Sequence, residues 1–130
     1  MKKIKFAGLI VIAVLLNGCK HSTEPTQPDI YVNYEIESAF QDDSVKLAVD
    51  NKILVESRVT TNYTISLAWS SGWQKLSRSN HTLHFSVVDY GIQKDYAIDT
   101  SNDTSTVFLR FNKNTNQIDI EQIKGMILRD

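Results

Sequence analysis

The run SVKLAVDNKILV, Ser44 to Val55, decides the fold. Val45, Leu47 and Val49 alternate with Lys46, Ala48 and Asp50, so the apolar side chains point to one side of an extended chain. Asp50-Asn51 follows, a pair that tolerates positive φ and caps its own backbone, and Lys52 to Val55 resumes an apolar run. Two strands about a tight turn make a β-hairpin.

The same period of two runs through most of the chain. Ile30, Val32, Tyr34 and Ile36 alternate with Tyr31, Asn33, Glu35 and Glu37. Leu83, Phe85 and Val87 alternate with His84, Ser86 and Val88, while Val107, Leu109 and Phe111 face away from Phe108 and Arg110. Ile65 and Leu67 give the run from Tyr63 to Trp69 the same look, and Ile118 and Ile120 close the series. Turn formers separate the runs: Ser70-Ser71-Gly72, Asn80, Tyr90-Gly91, Thr100 to Asp103, and Asn112-Lys113-Asn114. Past the first eighteen residues no window supports a helix. Seven to nine short strands at this spacing predict an all-β fold: a single antiparallel β-sandwich of immunoglobulin-like or jelly-roll type. The Cys-Trp-Cys signature of true immunoglobulin domains is absent, so the topology within that class stays open.

The first twenty residues are of another kind. Three lysines and no acid fill Met1 to Lys5, and Phe6 to Leu16 is wholly apolar. A basic tip, a short apolar helix and small residues before a cut are the parts of a secretory signal peptide. Those eleven residues span roughly 16 Å as a helix, against a hydrocarbon core about 30 Å thick, too short to cross it. Leu16-Asn17-Gly18-Cys19 closely resembles the lipobox of bacterial lipoproteins. The resemblance implies that Cys19 is joined to a diacylglycerol, that cleavage before it removes residues 1–18, and that the new amino group is acylated. Cys19 is the one cysteine of the chain, and lipidation disposes of a thiol that would be reactive in an oxidising compartment. Several acyl chains, each contributing about 0.8 kcal/mol per buried methylene, hold a protein at the membrane effectively permanently. Lys20 is not the Asp that retains members of this family at the inner membrane, so the outer membrane of a bacterial cell envelope is the expected location.

Residues 19–28 are expected to form a lipidated flexible tether, because Lys20 to Pro28 is polar with two prolines and no aliphatic residue. Residues 29–130 are expected to form one sandwich domain. Three of the fourteen basic residues fall in the first eighteen, so the remainder carries eleven against fifteen acidic ones, a net of −4. With no basic stripe, nucleic acid is not an expected partner.

Catalytic and metal signals are sparse. No Gly-x-Ser-x-Gly elbow is present, and a lipid-anchored hydrolase would need Ser, His and Asp brought together from distant positions. His81 and His84 point to opposite sides of a strand, so no metal site is expected from them. Asp42-Asp43 and Asp99, Asn102 and Asp103 offer oxygens for calcium but lack EF-hand spacing. No cofactor is expected. Trp69 and Trp73 flank Ser70-Ser71-Gly72, and their shared parity places both on one side of a tight hairpin, where exposed rings stack on flat apolar faces such as a sugar ring. The competing expectation divides them, with Trp69 in the core and Trp73 exposed. VKLAVDNK and LSRSNHTLHFSV are similar to strand-turn-strand passages of carbohydrate-binding and other extracellular sandwich modules, which implies the fold alone. The expected function is a lipid-anchored, non-catalytic binding or scaffolding domain with an envelope protein or glycan as partner. The alternatives are a carbohydrate-binding module beside an anchored enzyme, and the hydrolase.

Overall fold

The computed structural model describes residues 27–125. Eight strands are present: β1 (Ile30–Ile36), β2 (Asp43–Val49), β3 (Lys52–Val59), β4 (Trp69–Leu76), β5 (Thr82–Val87), β6 (Ile92–Ala97), β7 (Thr104–Asn112) and β8 (Gln117–Lys124). They form two four-stranded sheets, ordered β4-β1-β7-β8 and β3-β2-β5-β6. All neighbours are antiparallel except β1 and β7, which run parallel. The architecture is a β-sandwich. The one helical turn among the described residues is Val88–Tyr90, stopped by Gly91 at φ 63°. None of their helices is long and apolar enough to cross a membrane.

The alternation sets which face is buried. Ile30, Val32, Tyr34 and Ile36 of β1 meet Val45, Leu47 and Val49 of β2 and Leu83, Phe85 and Val87 of β5 between the sheets. Val107, Leu109 and Phe111 extend this core along β7. Burying each such side chain contributes about 1.5–3 kcal/mol. Phe40, Val59 and Ile98, outside or at the ends of strands, belong to the same core. The β2–β3 hairpin turns at Asp50, which sits at φ 53°, a conformation Asp adopts at modest cost. The carbonyl of Pro28 accepts from Arg78 Nε at 2.9 Å, so the chain is pinned to the sandwich before β1 begins.

Two sequence expectations are corrected. The run from Tyr63 to Ala68 is not a strand: it is a tight excursion closed by a bridge between Asn62 and Leu67, with Tyr63 and Ile65 exposed. Alternation over so few residues carries no information about pairing partners. Ser70-Ser71-Gly72 is not a hairpin loop either, because β4 runs unbroken through it from Trp69 to Leu76. What the glycine marks is a bulge. Asn33 faces Trp73 and Glu35 faces Ser70, so β4 spends three residues where β1 spends two. Gly72 sits there at φ 67°. A Cβ would meet no atom within 4 Å, so the backbone angle, not space, is what calls for glycine.

Candidate binding face

The bulge decides where the two tryptophans point. Four residues apart, they would share a face of an uninterrupted strand. One extra residue inverts the parity of everything beyond it. Trp69 faces Ile36 of β1 and packs, partly buried, against the core. Trp73 faces Asn33 on the outer side of the sheet and is 39% exposed. The pair on one side of a hairpin is therefore not formed. Cys19 lies outside the described residues.

Trp73 nevertheless has an aromatic neighbour. Tyr31 of β1, 46% exposed, faces Lys75, two residues along β4 from Trp73. Tyr31 and Trp73 are thus diagonal cross-strand neighbours on one face, at about 7–8 Å. The register lays out the surface in rows. The central one runs Trp73, Asn33, Thr106, Ile123 across all four strands. Lys75, Tyr31 and Thr104 lie on one side of it; Ser70, Glu35, Phe108 and Glu121 lie on the other.

The polar centre of the face is held in place. Asn33 Nδ2 donates to Glu35 Oε1 at 3.0 Å, and Ser70 Oγ donates to Asn33 Oδ1 at 3.1 Å. Thr106 is 1% exposed, and among the described residues its hydroxyl is the one buried side-chain polar atom without a hydrogen-bond partner. Such a group costs about 1–3 kcal/mol. Below this row Arg110 sits over the Phe108 ring at 5.2 Å and bonds Glu37 and Glu121 at 2.9 Å each. Hydrogen bonding to Glu121 holds its guanidinium above the ordinary range, against an opposing effect of burial, with Glu37 adding to the rise. Tyr31 had a signal in the sequence, an aromatic ring in the otherwise polar set Asn33, Glu35 and Glu37. Its proximity to Trp73 had none, because β1 and β4 are more than thirty residues apart.

The structure also brings Ser, His and Asp together. His81 Nδ1 lies 2.6 Å from Asp50 Oδ2, and His81 Nε2 lies 3.0 Å from Ser77 Oγ and 3.1 Å from Ser79 Oγ. Asp50 Oδ1 accepts from the Thr82 N–H at 3.0 Å. The hydrogen bond from His81, then that from Thr82, hold the Asp50 carboxyl below the usual carboxylate range. Yet Nε2 is also 2.9 Å from the carbonyl oxygen of Ser77. That carbonyl competes with the two hydroxyls for one ring nitrogen, and a proton on Nε2 would satisfy it. The array clamps the β2–β3 turn to the chain ahead of β5.

The acidic loops are engaged with cations. Asp43 pairs with Lys113 at 2.8 Å, Asp42 lies 3.8 Å from Arg58, and Asp103 pairs with Arg78. Burial pushes the Asp43 carboxyl up, but Lys113 and the Gln41 N–H outweigh it and leave it lowered. No group of three or more His, Cys, Asp or Glu residues suited to a metal ion occurs among the described residues. A cleft of about 570 Å³ opens between the edges of β3 and β4, with Tyr34, Val49, Leu54 and Leu76 on its walls. Asp50, Lys52 and Lys75 mix both charge signs among its lining residues, so no ligand charge is selected there. No protein-family model matches the chain, and no curated protein sequence is significantly similar to it.

Proposed function

We propose that this is a lipid-anchored protein of the bacterial cell envelope, held at the outer membrane through Cys19, whose sandwich is a non-catalytic binding domain. The observation that supports a binding role is the outward turn of Trp73 beside Tyr31. A large ring left in water on a sheet face is unfavourable for the isolated domain and is what a ligand or partner would cover. The tether would hold that face clear of the lipid. Incorporation of labelled fatty acid into the wild type and its loss in Cys19→Ser would support the anchor. A chain that begins at Lys20, with neither the apolar segment nor the lipid, should still sediment with isolated envelopes through the outer face of β4 and β1, and Trp73→Ala in that chain should release it. Sedimentation indifferent to Trp73 would defeat the binding-face reading.

A lipid-anchored hydrolase is the second reading, favoured by the contacts among Asp50, His81 and Ser77. It requires Nε2 without a proton. Covalent labelling of Ser77 or Ser79 by a fluorophosphonate, abolished in His81→Ala, would favour it over the binding domain.

A further inference from the structure

We infer that the outer face of the β4-β1-β7-β8 sheet takes a neutral glycan, with Trp73 and Tyr31 stacked on the apolar faces of its sugar rings and Asn33 bonding a hydroxyl between them. The inference rests on the reading of this face as the binding surface and names what it holds. Three features separate a glycan from a protein partner and from an anionic ligand.

The first is the composition of the patch. A protein interface has an apolar, charge-depleted centre and a polar rim. Here the order is reversed. Trp73 and Ile123 stand at the two ends of the central row, Tyr31 lies beside it, and Asn33 and Thr106 occupy its middle. Rings flanking fixed polar groups match a ligand whose flat faces are apolar and whose edges are hydroxyls.

The second is the state of those polar groups. An amide nitrogen carries two hydrogens. One hydrogen of Asn33 Nδ2 goes to Glu35, and the side chain is held in that orientation by Ser70 on its oxygen. The other hydrogen is left for a ligand in a geometry that costs little further ordering. Thr106, next in the row, is 1% exposed and lies beneath the surface that a ligand would touch, so Asn33 is the polar group on offer there. A sugar hydroxyl, both donor and acceptor, can accept that hydrogen of Asn33.

The third is charge. Glu35, Glu37, Asp119 and Glu121 lie on this face or its border, with Arg110 shared among Glu37, Asp119 and Glu121. The Lys75 ammonium lies 3.4 Å from Asp29. An anionic polysaccharide meets net repulsion there, whereas a neutral one does not.

The test uses the full lipidated protein in a detergent without a sugar headgroup, titrated with cellohexaose, laminarihexaose and mannohexaose, and with polygalacturonate as the anionic probe. Tryptophan fluorescence and calorimetry are read together. The expected result is binding of at least one neutral hexasaccharide and none of polygalacturonate. Trp73→Ala and Tyr31→Ala should each weaken binding about tenfold or more, as loss of a central aromatic contact does, while the melting temperature falls by no more than a few degrees. Asn33→Ala should weaken it as well. Failure of all three neutral probes, or preference for polygalacturonate, overturns the inference. If Trp73→Ala still releases the protein from envelopes in that case, the face remains the binding surface and the glycan alone is wrong; if it does not, both are.

Discussion

His81 and Asp50, 31 residues apart in sequence, meet with Nδ1 and Oδ2 at 2.6 Å. The contact ties the turn of the first hairpin to the chain entering β5. It also gives the fold an acid-sensitive fastening.

The Asp50 carboxyl is held low by His81 and by the Thr82 N–H, and that of Asp43 by Lys113 and the Gln41 N–H against its burial. Both groups have folded-state values below their unfolded ones, so the unfolded chain binds protons first on acidification. Their contribution is fully present well above the unfolded value of about 3.9 and is lost as pH falls through the lowered values. Thermal unfolding scans should therefore show the melting temperature falling steeply below about pH 4. Asp50→Asn should start lower and fall less. An equal acid slope in both proteins would remove Asp50 from this account.

The two tryptophans should separate in the same assay. Trp69→Ala removes a ring packed on the core and should cost about 3 kcal/mol. Trp73→Ala, on the exposed outer face, should cost less than about 1 kcal/mol. A larger loss at Trp73 would mean that the parity assigned to β4 is inverted.

Gly72 is the residue that makes this inversion possible. Replacing it with Ala puts a Cβ on a left-handed backbone and should cost about 1–2 kcal/mol without any steric clash. Urea unfolding would measure it. A neutral Gly72→Ala would show that the bulge does not depend on the angle at this position.

In the hairpin, Leu47→Ala should cost about 2–5 kcal/mol by leaving a cavity between the sheets. Lys46→Ala, one residue away on the outer face, should change stability by less than about 0.5 kcal/mol. Equal effects at the two positions would contradict the register in which Leu47 faces Val55 and Phe85.

The strands β1, β2, β5 and β7 were legible because burial at every second residue is a local property, whereas Ser70-Ser71-Gly72 in β4 reads as a loop and β6, with Lys94 between Ile92 and Tyr96, shows no apolar alternation. Val45, Leu47 and Val49, or Ile30 to Ile36, declare their inner face without reference to what they pack on. The tight turn at Asp50 was legible for the same reason, since the tolerance of Asp for φ 53° belongs to the residue itself. The expected anchor at Cys19 likewise rests on a contiguous motif. What the tertiary structure alone decided is everything that depends on pairing over distance. The parallel pairing of β1 with β7, the diagonal contact of Tyr31 with Trp73, and the meeting of Asp50 with His81 and Ser77 each join segments whose separation leaves no periodic trace. The bulge at Ser71-Gly72 is the sharpest case. It shifts the pairing by one residue, which alternation cannot register, and in doing so it sends Trp69 into the core and Trp73 to the surface, because side chains along a strand change face at every step.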